Sequence, residues 1–219
     1  MTETQSTTET PSTTADATPE TSAHVDWQRV LIDQLDWHWT NQLRPRLDGL
    51  TDEEYLWEPT PGAWNVHPRG QGSTELQGGS GELTIDFAYP EPVPAPVTTI
   101  AWRLAHVIVG VLGARVHSHF GGPEADYQTF DYAGTADDAL AQLDSAYAGW
   151  IAGVRRWGAV ELAEPCGPAE GPFADYSRAE LVAHINREVI HHGAEIALLR
   201  DLFAHRNDSR TTDERLTND

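Results

Sequence analysis

Glu188 and His192 stand four residues apart in a stretch whose apolar residues recur at helical spacing. Residues with this separation lie one above the other on the same helix face, so their side chains can converge on one point. A carboxylate and an imidazole both ligate divalent cations, and one more imidazole would complete a three-ligand site with positions left open for water or substrate. The spacing therefore indicates a metal centre that could activate a small molecule.

His106 is the best candidate for the third ligand. It lies in Trp102-Arg-Leu-Ala-His106-Val-Ile-Val-Gly, a segment too apolar for a surface helix. In helical bundles, side chains on facing helices build metal sites in the core. We therefore predict His106, Glu188 and His192 as metal ligands, and we assign no catalytic or cofactor-binding residue beyond them.

The same three residues also admit an explanation without a metal. Glu188 could pair with Arg115 or Arg187. His106 and His192 could be core histidines whose ring nitrogens are satisfied by other partners. A glutamate and a histidine at this spacing form a weak motif, but a desolvated carboxylate without a partner costs several kcal/mol, and a metal cation compensates for it directly. That asymmetry favours ligation.

Other polar residues give weaker signals. His117 and His119 lie at a predicted helix end, where a cation complements the helix dipole, so we expect both at the surface. His67 lies in a long loop and could reach the mouth of a site. Cys166 has no evident base beside it, so we expect no reactive thiol. The glycine-rich stretch 69–74 lacks the phosphate-binding loop pattern.

The elements that must position these residues are mostly helical. Capping residues and apolar periodicity predict four long helices, over about 26–50, 98–120, 135–157 and 177–206, with Pro45 bending or ending the first. Residues 65–96 hold many Gly and Pro and one strand-like run, 82–89. The pattern predicts an all-α protein, a four-helix bundle with a long irregular loop between helices one and two.

Length and composition predict one domain. Of the 219 residues, positions 1–24 are rich in Thr, Ser, Pro and Glu and predict a disordered acidic tail. Positions 207–219 predict a flexible C-terminal tail, which leaves 25–206 as the domain. The first residues have no signal-peptide or transit-peptide pattern, so we expect a cytoplasmic protein.

Charge excludes two classes of partner. A formal net charge of -20 would repel the phosphates of nucleic acids and of anionic lipids. No apolar run reaches the ~18 residues that span a bilayer. The single cysteine excludes an internal disulfide and any multi-cysteine zinc site. A small molecule remains as the expected partner.

Three segments in this order resemble the DinB/YfiT-like superfamily of small helical metalloproteins, and more closely its actinobacterial members. The segments are Trp57-x-Pro-x-Pro-Gly-Ala-Trp64, Thr98-Thr-Ile-Ala-Trp-Arg-Leu-Ala-His106 and His184 to Leu202. Many members carry a histidine where this chain has Glu188. The resulting His/Glu/His set is similar to that of the mycothiol-dependent maleylpyruvate isomerases of the same superfamily.

The resemblance implies a metal-dependent thiol S-transferase or isomerase. It implies a divalent metal, with Zn²⁺ the first choice and Ni²⁺, Mn²⁺ or Fe²⁺ also suited to nitrogen and oxygen ligands. It further implies a low-molecular-weight thiol such as mycothiol, a small-molecule substrate and a homodimer.

Three other functions stay open. The same site could activate water for hydrolysis. A non-catalytic module would close the metal site with a fourth protein ligand, for which His184, His191 and Glu195 are the nearest candidates. A bundle without metal would pair its buried histidines and glutamate with arginines.

Overall fold

The computed structural model describes residues 25–206, and the two predicted tails, 1–24 and 207–219, lie outside them. Its helices are α1 (Trp27–His38, continued by a π-helical segment Trp39–Leu43 and a turn Arg44–Arg46), α2 (Asp52–Tyr55), α3 (Ile100–Ala105, π-helical His106–Gly113, then Ala114–Phe120), α4 (Ala136–Val154), α5 (Ala159–Ala163) and α6 (Arg178–His205). A 3-10 segment, Pro168–Phe173, precedes α6. The mostly helical fold is confirmed, and the four-helix bundle stays a prediction.

The long helices begin at the predicted capping residues. Thr99, Thr135 and Ser177 each accept a hydrogen bond from the backbone N–H three residues later. These bonds satisfy amides that have no partner within the helix. Gly121, with φ of 69°, ends α3 in a left-handed conformation that glycine adopts without steric cost. Local signals alone therefore set where these helices begin and where α3 ends.

Helices α1 and α3 both contain π-helical segments, which sequence periodicity does not predict. In α1 the segment ends two residues before Pro45, whose missing N–H interrupts the regular hydrogen-bond pattern. In α3 the segment starts at His106. Such segments are frequent at functional sites because they rotate the following side chains relative to a regular helix.

Helix α3 is the core helix. It packs against α4 and α6, and Leu104, Val109 and Leu112 are almost fully buried. The expectation that no apolar stretch is long enough to span a bilayer was wrong, because α3 could cross a membrane by length and composition. However, 56% of its apolar window is buried inside the protein. Burial of this kind is typical of the core helix of a soluble protein. The remaining core is aromatic and aliphatic, with Trp150 fully buried on α4.

A three-stranded antiparallel sheet replaces much of the irregular loop that the sequence predicts. Its strands are β1 (Val66–Pro68), β2 (Leu76–Gly78) and β3 (Leu83–Phe87), in the order β1-β3-β2. Only β3 is long enough to show strand-like alternation, so β1 and β2 gave no signal. The sheet is tied together at Asp86, whose buried carboxylate accepts hydrogen bonds from the N–H groups of Asn65 and Ser73 and from the Ser73 hydroxyl.

Candidate metal centre

The structure brings the three predicted ligands together. His106 at the start of the π-helical segment of α3 faces Glu188 and His192 on α6, and one ligand atom from each lies within 4.8 Å of the other two. The imidazole rings of His106 and His192 are 4.6 Å apart between centroids and nearly perpendicular. Two helices that are far apart in sequence thus contribute to one group.

The spacing of one pair of ligand atoms, on His192 and Glu188, fits a metal ion. His192 Nε2 and Glu188 Oε2 are 3.5 Å apart. Two ligands of a tetrahedral Zn²⁺, each about 2.1 Å from the ion, lie about 3.4 Å apart. A direct hydrogen bond between a charged imidazole and a carboxylate would be shorter, at about 2.8 Å. The separation therefore suits an ion between the two groups better than a contact between them.

The second nitrogen of His192 is engaged by Glu195. Their Nδ1 and Oε2 atoms are 2.7 Å apart, and Arg103 Nε lies 3.0 Å from the same carboxylate oxygen. A carboxylate on Nδ1 fixes the imidazole tautomer so that Nε2 presents its lone pair, the arrangement found around metal-bound histidines. Glu195 thereby orients His192 and is in turn held by Arg103.

The second nitrogen of His106 is engaged by Tyr127, a residue that the sequence analysis missed. The Tyr127 hydroxyl lies 2.6 Å from His106 Nδ1, which leaves Nε2 for a ligand. The Trp102 ring stacks on the His106 ring, with 5.7 Å between the centroids. Burial, more than the charges of His192 and Arg103, lowers the pKa of His106 to about 4, so the ring is neutral at pH 7.

Gly110 makes the contact between His106 and Tyr127 possible. A Cβ atom at this position would lie 1.8 Å from the Tyr127 hydroxyl oxygen, far inside any allowed contact. No periodicity could have revealed this partner, because Tyr127 stands in the loop between α3 and α4. A glycine inside an otherwise apolar helix was the only available signal, and it does not name the side chain that approaches.

Glu188 has no close hydrogen-bond partner among the described residues. Its Oε1 lies 3.5 Å from His184 Nδ1 and 3.6 Å from Arg187 Nε, and its side chain is 27% exposed. The predicted alternative of a pair with Arg115 is wrong, because Arg115 binds Glu170 at 3.0 Å instead. The alternative of a pair with Arg187 finds only this long contact.

A second group of possible ligands, His191, His192 and Glu195, overlaps the first. His191 is 63% exposed, and its Nε2 is 3.5 Å from Glu195 Oε1. Glu195 already contacts both His192 and Arg103, so a metal there would compete with two existing contacts. The group with Glu188 involves no such competition, and we take it as the candidate centre.

The predictions for the other histidines and for Cys166 were correct in some cases and wrong in others. His117 is exposed as expected. The expectation for His119 was wrong: its side chain is only 6% exposed, and its Nε2 lies 2.9 Å from Glu170 across the loop before α6. His67 binds Asp86 within the sheet instead of reaching the site. Burial raises the pKa of the Cys166 thiol, which agrees with an unreactive cysteine.

Comparison with known proteins places the site within a family. A family model described as the DinB superfamily matches residues 34–196, a range that includes all three candidate ligands. Comparison with curated proteins and with solved structures gave no match.

Proposed function

Because the chain belongs to the DinB superfamily, we propose that it is a metal-dependent enzyme that transfers or isomerises a small molecule with the help of a low-molecular-weight thiol. The observation that carries this proposal is the convergence of His106, Glu188 and His192. Their donor set of two imidazoles and one carboxylate suits Zn²⁺ best, and Ni²⁺, Mn²⁺ or Fe²⁺ are also compatible with it.

An open coordination position is central to the proposal. The group of three ligand atoms includes no fourth His, Cys, Asp or Glu within residues 25–206. Of the three candidates for a fourth ligand, Glu195 is engaged by His192 and Arg103, and the side chains of His184 and His191 are 42% and 63% exposed. Three protein ligands and an exchangeable position are typical of catalytic sites, whereas structural zinc sites are closed by four.

A divalent cation held here would supply Lewis acidity, which lowers the pKa of a thiol or of a water molecule at the open position. The residues of the chain would orient the ligands and shield them. Tyr127 and Glu195 fix the two imidazoles, and the Trp102 ring covers one face of His106. The partly exposed Glu188 marks the side from which a substrate would arrive.

The choice of a thiol over water rests on the ligand set. Glu188 replaces a histidine that is common in the superfamily, and the resulting set resembles that of mycothiol-dependent maleylpyruvate isomerases. We therefore propose mycothiol or a similar thiol as the cofactor, in a cytoplasmic homodimer of actinobacterial origin. The net charge of -20 argues against nucleic acid or an anionic membrane as a partner.

The test is a turnover assay on metal-free and zinc-loaded protein. Loss of free thiol would be followed with mycothiol or a model thiol and an electrophilic acceptor. We expect turnover only in the zinc-loaded wild type and none in Glu188→Gln, while the exposed control Glu82→Gln keeps full activity. Equal turnover by the metal-free protein would contradict the proposal. Zinc-dependent ester hydrolysis without thiol consumption would instead support the alternative function, a metal-dependent hydrolase.

A further inference from the structure

A cavity of about 690 Å³ lies between the 3-10 segment Pro168–Phe173 and the first half of α6. Small-molecule sites in proteins commonly enclose ~300–1,000 Å³. The volume is therefore enough for a small organic molecule, and neither the metal ligands nor the sheet accounts for it.

The cavity adjoins the candidate metal centre. His184 and Arg187 line it, and both also approach Glu188 Oε1, at 3.5 and 3.6 Å. These three residues lie within one helical turn of α6. Glu188 does not itself line the cavity, so a molecule bound there would lie beside the two residues that approach the Glu188 carboxylate.

The wall opposite α6 is held in place by a buried ion pair. Glu170, in the 3-10 segment, is 6% exposed and binds Arg115 at 3.0 Å and His119 at 2.9 Å, both on α3. The hydrogen bond from His119, together with Arg115, lowers the pKa of Glu170 to about 2. The carboxylate therefore stays charged over the physiological range, and its contacts with Arg115 and His119 tie this wall of the cavity to α3.

Much of the lining is apolar. Phe173 and Tyr176 line the cavity with side chains that are about half exposed, at 57% and 52%. Leu181 and Ala183 of α6 line it as well. Large aromatic surface left accessible beside a cavity favours a ligand with an apolar body, because binding removes that surface from water.

Two arginines and two glutamates line the cavity, and one of the arginines can receive an anion. Arg115 is neutralised by Glu170, and Glu180 accepts hydrogen bonds from the N–H and hydroxyl of Ser177 at the start of α6. Arg187 is 68% exposed, and its nearest carboxylate is Glu188, the candidate ligand. One terminal nitrogen of Arg187 lies 2.6 Å from His184 Nδ1. When Glu188 binds a cation, the other N–H groups of the guanidinium remain as donors for a carboxylate.

From this combination we propose that the cavity binds an amphiphilic organic acid, with its aromatic or aliphatic body against Phe173 and Tyr176 and its carboxylate at Arg187. The assignment rests on the proposed function, because it names the class of substrate that the metal centre would act on. It adds Arg187 as a residue that determines substrate specificity.

Binding can be tested with a fluorescent probe and a pair of matched competitors. The probe is 8-anilinonaphthalene-1-sulfonate, and the competitors are 3-phenylpropionate and its neutral analogue 3-phenylpropan-1-ol. We expect the acid to displace the probe from zinc-loaded wild type far better than the alcohol. In Arg187→Gln the acid should lose about tenfold or more in affinity, since a charge-assisted hydrogen bond is lost, while the alcohol is unaffected.

Two further variants locate the site. Ala183→Trp should fill the cavity and abolish displaceable probe binding. Arg206→Gln, at the far end of α6, should behave as wild type. Equal displacement by acid and alcohol, or acid affinity unchanged in Arg187→Gln, would overturn the assignment, as would probe binding unchanged in Ala183→Trp.

Metal content, measured in each variant by elemental analysis, separates failure of this assignment from failure of the proposed function. Full metal without acid binding would overturn the cavity assignment alone. Selective acid binding in a protein that takes up no metal would contradict the metal-dependent function and, with it, the assignment of the acid as its substrate.

Discussion

Two carboxylates in this protein, Asp86 and Glu188, have opposite surroundings. The Asp86 side chain is fully buried and accepts close hydrogen bonds from Asn65 and Ser73. Glu188 is partly exposed, and its nearest partners are 3.5 Å or more away. A carboxylate whose oxygens are all satisfied stabilises a fold, whereas one left without close partners among imidazoles is available to a ligand.

The two carboxylates are connected through one tryptophan. Trp102 Nε1 donates to the backbone oxygen of Asp86 at 2.9 Å, and the Trp102 ring stacks on His106. The sheet organised by Asp86 therefore holds the ring that orients a candidate ligand. The segment between α1 and α3 supports the site although it contributes no ligand.

The largest effect on stability is expected from Asp86→Asn. The substitution removes a buried, charged hydrogen-bond acceptor. It also places the NH2 group of the new amide next to groups that are themselves donors. Together these changes should lower the free energy of unfolding by about 3 kcal/mol. Chemical denaturation measures this, with the exposed Glu82→Gln as control. If the free energy of unfolding changed no more in Asp86→Asn than in the control, Asp86 would not be a structural carboxylate, and its contrast with Glu188 would be wrong.

Glu170→Gln is expected to have the next largest effect, about 2 kcal/mol at pH 7, because Arg115 and His119 lose a charged acceptor. The pKa of Glu170 is lowered from 4.5 to about 2 in the folded protein. The stabilisation is therefore complete above about pH 4.5 and is lost as the pH falls toward 2. Denaturation of both proteins between pH 3 and 7 should show their difference shrinking at the acidic end, and a constant difference would refute this pairing.

Tyr127→Phe tests whether the hydroxyl of Tyr127 orients the candidate ligand His106. Phenylalanine keeps the ring but removes the hydroxyl that holds His106 Nδ1, so zinc affinity should fall roughly tenfold with little loss of stability. Competition with a zinc-binding dye measures the affinity. Tyr89→Phe, which is 83% exposed in the wild type, is the matched control. Unchanged zinc affinity in Tyr127→Phe would exclude a positioning role for this hydroxyl.

The smallest effect on stability is expected from Glu188→Gln in the metal-free protein. Because the carboxylate has no close partner, the free energy of unfolding should change by less than about 0.5 kcal/mol. Thermal and chemical denaturation of metal-free samples provide the measurement. A loss as large as that of Asp86→Asn would mean that Glu188 is a structural residue.

Local signals explain which parts of this fold the sequence predicted. Caps such as Thr99 and Ser177, and the i to i+4 spacing of Glu188 and His192, depend on neighbouring residues only. The apolar stretch around His106 correctly predicted a buried helix that faces α6. These signals were sufficient to select the three residues that the structure brings together.

The parts that were missed depend on contacts between distant segments. Tyr127 reaches His106 from a loop, and Glu170 reaches His119 over a separation of 51 residues. Strands β1 and β2 are three residues each, too short to show alternation. Asp86 on β3 accepts hydrogen bonds from Asn65 and Ser73, which precede β1 and β2. No pattern within either segment identifies its partner.

The central claim is tested most directly by the metal content of the wild type and of Glu188→Gln. Denaturation of both proteins would show that they are equally stable without metal. Both proteins would be purified without a His tag, incubated with Zn²⁺, desalted and examined by elemental analysis and denaturation. We predict near-stoichiometric zinc and zinc-dependent stabilisation in the wild type, and loss of both in a folded Glu188→Gln. A wild type that takes up neither Zn²⁺ nor Ni²⁺, or a variant that keeps its metal, would contradict the account.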